Sequence, residues 1–217
     1  MKYFFAPGCA LAIYKPHIID RIFQFLTQRL NHVEILQTCC KHTPLIPKGV
    51  KVINICPGCD RRFRENYENP SCISLWELLL EDGTFPFPDY KSQKMTIIDA
   101  CPTRDQDRIH QSIRSLAQKM NITIIEPLRT KRTSTCCGDS LYGKVPTSQV
   151  INQMEKKAAE MPPHDIIVYC VSCCKSMFIG GKQPRYIVDL LFNEETIPAT
   201  THPDAWHNEL DVFIDSH

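Results

Sequence analysis

Residues 134–143 read STCCGDSLYG, with Cys136 and Cys137 side by side and Gly138 behind them. Neighbouring cysteines seldom bond to each other, because the small ring that would form is strained. Each sulfur therefore looks elsewhere for its partner: a remote disulfide, a metal, or plain burial. A matching pair, Cys39 and Cys40, sits in the first half of the chain.

Each pair is the centre of a larger pattern, and the pattern is written twice. The first half runs Cys9, then Cys39 and Cys40, then Cys56-Pro-Gly-Cys59; the second runs Cys101, then Cys136 and Cys137, then Cys170-Val-Ser-Cys173. The hydrophobic residues repeat with the cysteines. Short apolar runs at 2–5 and 95–98 read as strands leading into the single cysteine. Helical periodicity follows at 16–30, where Ile18, Ile19, Ile22, Phe23, Phe25, Leu26 and Leu30 recur at three and four behind Pro16, and at 108–120, where Ile109, Ile113, Leu116, Ala117 and Met120 do the same. Strands at 33–36 and 122–125 then run toward the cysteine pairs. Strands at 50–55 and 166–169 end at the CxxC, after which a helix begins. Finally SLWELLL (74–80) matches YIVDLLF (186–192), with Trp76, Leu78, Leu79, Val188, Leu190 and Leu191 as core residues.

Strands alternating with helices imply parallel sheets, whose ligands gather beyond the carboxyl ends of the strands. The cysteines fall at those ends. The expected fold is α/β: two tandem repeats of a small parallel-sheet unit with cysteine-bearing loops at the strand C-termini. A CxxC where a helix starts can turn both sulfurs to one ion, with backbone N–H groups nearby. Adjacent thiols can then serve two neighbouring metal atoms or two edges of one cluster. The turn-rich stretch DGTFPFPDYKSQK (82–94) joins the halves. The expected organisation is a first, shortened repeat over 1–88, a second over 89–200, and a C-terminal helical tail over 201–217. In the tail Asp204 is placed to cap, and Trp206, Leu210, Phe213 and Ile214 to pack.

Composition narrows the chemistry. A chain of 217 residues, 43% hydrophobic, buries a core without covalent staples, so its 12 cysteines point to metal or redox work. The opening MKYFFAPGCALAIYK has too short an apolar run for a secretory leader and contains Pro7. No run reaches the roughly 18 apolar residues of a membrane span. A cytoplasmic protein with reduced thiols is expected. With 25 basic against 24 acidic residues, net charge +1, nothing in the balance invites nucleic acid or a membrane surface.

The doubled C…CCG…CxxC, without a ferredoxin-type cysteine run, resembles the cysteine-rich CCG-domain proteins. By pattern it is similar to the CCG-bearing component of heterodisulfide reductase and to the short iron-sulfur subunits of lactate- and glycolate-oxidising systems. The likeness covers Cys9 to Cys173, including the opening YFFAPGC. It implies that each five-cysteine set holds a noncubane [4Fe-4S] cluster, and that the clusters reduce a small disulfide or related thiol substrate. By motif position the sets are Cys9, Cys39, Cys40, Cys56 and Cys59, and Cys101, Cys136, Cys137, Cys170 and Cys173. Two departures mark the first set: Lys41 stands where the motif has glycine, and fifteen residues separate Cys40 from Cys56 against thirty-two between Cys137 and Cys170. The first half has lost a helix, and its site is expected to hold a cluster, zinc or nothing.

Repetition favours iron-sulfur ligation over zinc, and both over disulfides or inert burial. No flavin or nicotinamide fingerprint is visible, so electrons come from a partner: a ferredoxin, a flavoprotein or an iron-sulfur subunit. Two rival readings use the same cysteines, a non-catalytic electron-transfer subunit of a dehydrogenase complex and a zinc-stabilised binding module. Cys72 and Cys174 lie outside the pattern and read as small buried hydrophobes. Arg61, Arg62 and Arg64 either draw an anionic substrate or partner toward the first site or form a solvated helix face. His42, Asp99 and Arg104 lie beside predicted ligands, where holding the loops is favoured over proton handling. Asp139 and Ser140 read as caps of a helix after the CCG. No residue is assigned a catalytic role.

Overall fold

A computed structural model describes residues 1–37, 42–67, 71–163 and 165–217. The chain forms two compact units, Met1–Leu78 with Asn208–His217, and Leu79–His207. Each is α/β with one four-stranded, wholly parallel sheet.

The first unit begins with β1 (Tyr3–Ala6), α1 (Cys9–Tyr14), α2 (Pro16–Arg29) and β2 (Val33–Ile35). It continues with β3 (Lys51–Asn54), α3 (Pro57–Asn66), β4 (Ser71–Ser74) and the start of α4 (Leu75–Glu81). Its strand order is β2-β1-β3-β4. Pro16 opens α2, where its missing N–H costs nothing, and Ile18, Ile19, Ile22 and Leu26 form the buried stripe the periodicity predicts. Ala6 and Val52 from the sheet pack with Cys59 and Phe63 of α3, so the second cysteine of the CxxC, a candidate site residue, is also part of the core.

The second unit carries β5 (Gln93–Ile97), α5 (Asp107–Lys119), β6 (Ile122–Ile125), α6 (Thr147–Ala159) and β7 (Asp165–Val168). It then has α7 (Val171–Ile179), β8 (Pro184–Tyr186), α8 (Ile187–Leu191) and the start of α9 (Pro203–Ser216). The order β6-β5-β7-β8 repeats that of the first unit. Ile113, Leu116 and Ala117 of α5, Val150 of α6 and the run Ile166–Val168 are fully buried, as expected for a parallel sheet covered on its faces. Between Cys137 and Cys170 lies α6; described residues 42–55 of the first half hold no counterpart, which is the missing helix read from the spacing.

The sequence reading does not anticipate β4, β8 or α1. Trp76, Leu79, Val188, Leu190 and Leu191 are core as expected, and Leu78 is only half-buried. In α9 Trp206 and Ile214 are buried, while Leu210 and Phe213 are partly covered. Asp204 is the second residue of that helix and accepts a hydrogen bond from the Thr147 hydroxyl at 2.8 Å. Among the described residues no helix is long and apolar enough to cross a membrane.

Candidate functional site

In each sheet the chain leaves the central pair of strands in opposite directions, β1 toward β2 and β3 toward β4 in the first, β5 toward β6 and β7 toward β8 in the second. Such a reversal opens a crevice at the carboxyl ends of the two central strands. The sequence puts cysteines there. Cys9 follows β1 and Cys56 follows β3; Cys101 follows β5 and Cys170 follows β7. Cys56 and Cys170 are the residues just before α3 and α7, and Cys59 and Cys173 lie in the first turns of those helices.

In the first unit the backbone at Gly8 lies against the CxxC. Gly8 has φ +86°, and a Cβ there would come 2.9 Å from Cys56 Cβ and 3.4 Å from Cys59 Sγ. Only glycine fits that approach, and Cys9 is the next residue of the chain. Cys39 and Cys40, the remaining members of this set, lie outside the described residues. Asp60, buried next to Cys59, accepts Asn54 Nδ2 at 3.1 Å and Arg64 Nε at 2.8 Å. Arg62 donates to the His42 carbonyl at 2.9 Å and Arg61 approaches Glu65 at 4.0 Å. The three arginines therefore have partners in the fold. The His42 ring pairs with the Ile214 carbonyl at 3.0 Å.

In the second unit the cysteines are linked pair by pair. Cys101 Sγ donates to Cys136 Sγ at 3.9 Å, Cys173 Sγ donates to Cys137 Sγ at 3.3 Å, and a hydrogen bond also joins Cys173 to Cys170. Cys136 and Cys137 link the two couples, so the sulfurs form a chain. Cys136 is its most acidic member. The hydrogen bonds of Cys101 and then Cys137 hold its thiol far below the usual cysteine range, against burial, with help from Ser140 and the Gly138 N–H. Ser140 Oγ lies 2.9 Å from Cys136 Sγ and Gly138 N donates to it at 3.3 Å. Cys101 is driven well above that range by its bond to Cys136 and then by burial. Cys137 is likewise raised by Cys136 and by burial, against the bond from Cys173. Cys173 is raised by its bonds to Cys137 and Cys170 and by burial. Metal binding would therefore have to displace protons from Cys101, Cys137 and Cys173.

Gly138 explains the glycine of the CCG. Its φ is +110°, and a Cβ would stand 2.8 Å from Met154 Cγ and 3.1 Å from the Val150 carbonyl oxygen. The loop turns under α6 there, and nothing larger fits.

Behind Cys101 lies a charged network. Asp99, essentially buried, receives Arg114 Nη1 at 3.0 Å and Nη2 at 2.9 Å, Thr130 Oγ1 at 3.0 Å and Lys131 N at 2.6 Å. Burial pushes the Asp99 carboxyl up, but Arg114 and the Lys131 N–H together outweigh it and hold the group below the usual range. Tyr169, itself raised by burial, donates its hydroxyl toward Asp99 Oδ1 at 3.4 Å and accepts from Ala100 N at 2.8 Å. Arg104 donates to the Ser134 carbonyl at 3.1 Å, and Ser134 Oγ to the Asp99 carbonyl at 3.0 Å. Asp99 and Arg104 hold the two cysteine loops in place, the role favoured for them from sequence.

Asp139 and Ser140 do not cap a helix. Residues Asp139–Leu141 form a single 3₁₀ turn preceded by Gly138, without a side-chain cap. Asp139 pairs instead with His207 at 3.1 Å and Ser140 with Cys136. No short-range sequence signal reaches His207. Cys174 is buried and Cys72 half-buried.

Among the described residues no group of three or more His, Cys, Asp or Glu side chains converges as a ready site for one metal ion. Compared with known proteins, the chain matches no family model and no curated protein.

Proposed function

We propose that this chain is an iron-sulfur redox protein of the CCG-domain kind, akin to the CCG-bearing component of heterodisulfide reductase. In this reading it reduces a small disulfide or related thiol substrate with electrons from a partner protein. The observation that carries the reading is the chain of five sulfurs, Cys101, Cys136, Cys137, Cys173 and Cys170, at the central crevice of the second sheet. Soft thiol donors strung out in linked couples, without convergence on one point, suit several metal atoms better than a single tetrahedral ion. A noncubane [4Fe-4S] cluster held by these five would supply one-electron steps and iron open to a substrate sulfur.

The protein's own residues bind and orient. Cys136 offers a ready thiolate, Gly138 N–H and Ser140 stabilise its charge, and the Asp99–Arg114 pair fixes the strand end from which Cys101 departs. Cys9, Cys56 and Cys59, with Cys39 and Cys40, are the corresponding donors of the first half, for a second cluster or for zinc. A reducing compartment such as the cytoplasm suits a protein working through free thiols, with a ferredoxin, flavoprotein or iron-sulfur subunit as donor.

Anaerobic purification followed by iron, acid-labile sulfide and zinc analysis, with electron paramagnetic resonance, tests the proposal. Iron with sulfide, lost on Cys137→Ser, is expected; colourless protein containing zinc alone discards it. Adding heterodisulfides to the reduced protein then separates an enzyme from an electron carrier, since a carrier shows no substrate-dependent reoxidation.

A further inference from the structure

Trp206 and His207 of α9 reach the second cysteine site, although they lie more than thirty residues beyond its last cysteine. His207 Nε2 sits 3.1 Å from Asp139 Oδ1, both side chains mostly covered at 23% and 18% exposure. The same imidazole lies flat on Tyr142, with ring centroids 3.8 Å apart and planes 4° off parallel. One ring therefore holds both flanks of the segment Asp139–Tyr142. Between those flanks is Ser140, whose hydroxyl is 2.9 Å from Cys136 Sγ.

The neighbouring residue reaches the other arm of the site. Trp206 Nε1 donates to Ser172 Oγ at 3.2 Å, inside the Cys170-Val171-Ser172-Cys173 turn. Lys175, buried in α7, lies 4.1 Å over the Trp206 ring and donates to the Pro198 and Thr200 carbonyls at 2.7 and 2.6 Å. Two consecutive side chains thus serve two different cysteine loops.

We infer that His207 is a positioning residue for the second cysteine set, holding Ser140 against Cys136, and that Trp206 does the corresponding work at the CxxC. The inference deepens the proposed function and rests on it only for what the sulfurs hold; the contacts with the thiol loops are independent of the metal. Short neutral or charge-assisted hydrogen bonds between loops of this kind restrict the loop rather than create it. Losing His207 therefore frees Ser140 without unfolding β5 or β7.

The test uses the full-length, metal-free, reduced protein, treated with iodoacetamide under anaerobic conditions, with alkylation of each cysteine followed by peptide mass spectrometry. In His207→Ala, Cys136 is expected to react about fivefold faster, the weight of one hydrogen bond of this class, while Cys9 and Cys56 keep their rates. His207→Gln, whose amide reaches Asp139 but does not stack on Tyr142, recovers part of the protection. Trp206→Phe accelerates Cys170 and Cys173 and leaves Cys136 unchanged. An unaltered Cys136 rate in His207→Ala overturns the inference, and so does equal acceleration of every cysteine in the second unit, which would mark simple loosening. Should His207→Ala fail to fold, Tyr142→Leu removes the stack alone and is expected to give a smaller acceleration confined to Cys136; no such change overturns the inference too. Wild-type protein that takes up no iron and sulfide discards the iron-sulfur reading and leaves these rates standing.

Discussion

Replacing Asp99 with asparagine keeps the shape of the side chain and removes its charge. The carboxylate accepts two guanidinium N–H groups from Arg114, one hydroxyl and one backbone N–H within 3.0 Å. Arg114 is only 12% exposed, and its remaining anion is Glu126, bound at 2.6 and 2.8 Å and itself 41% exposed. Breaking a buried ion pair by removing one partner costs about 3–5 kcal/mol. Because Glu126 stays to neutralise Arg114, the expected loss for Asp99→Asn is at the lower end, about 3 kcal/mol. Trp206 lies in the second unit and Trp76 in the first, so urea unfolding followed by Trp206 fluorescence in a Trp76→Phe background reads the relevant unit. The effect has a defined pH window. A carboxyl whose folded pKa is depressed contributes fully above its unfolded pKa of about 3.9 and loses that contribution as pH falls through the folded value. The gap between wild type and Asp99→Asn should therefore be flat from about pH 5 to 8 and close in stronger acid. A loss under about 1 kcal/mol at pH 7 would match an exposed pair and refute the reasoning.

Gly138→Ala should cost about 2–3 kcal/mol, from the φ of +110° and the clash with Met154, whereas Gly143→Ala, at φ +73° with open space around it, should cost about 1 kcal/mol; thermal melts compare the two. His110 is fully buried with neither ring nitrogen hydrogen-bonded, and burial pushes its pKa down. Its neutral form is the folded form, so wild type should lose stability as pH falls below about 6.5 while His110→Leu does not, as urea midpoints at about pH 7 and pH 5 would show. Mild oxidation of the metal-free protein with diamide should join Cys137 to Cys173, already 3.3 Å apart, before Cys101 joins Cys136 at 3.9 Å. Non-reducing peptide maps showing first bridges elsewhere would contradict the sulfur arrangement.

The doubled cysteine pattern and the apolar runs around it foretell six of the strands because buried parallel strands are near-continuous Val and Ile. β4 (SCIS) and β8 (PRY) escape because they are four and three residues long and hold one Ile and no Val between them, too little for an apolar run to show. Cys9 starts a helix straight after β1, with Gly8 in a positive-φ bend that no local propensity reveals. Asp99 is legible as a neighbour of Cys101, but its partner is not, since Arg114 is brought to it only by the packing of α5. The contact of His207 with Asp139 spans 68 positions, and a capping rule that looks about four residues ahead assigns Asp139 to the wrong task.

The hydrogen-bonded ladder between the two central strands serves as a ruler. β1 pairs with β3 and β5 with β7 residue by residue, and adjacent strands stand about 4.8 Å apart whatever joins them. The separation between the lone cysteine and the CxxC is therefore set by the sheet and is indifferent to insertions elsewhere. Length is free to vary in the stretch that follows the paired cysteines, and there the two halves differ by seventeen residues, fifteen against thirty-two. Selection, or an engineer, can graft or trim helices at that point and retune access to the sulfurs without disturbing their outer anchors.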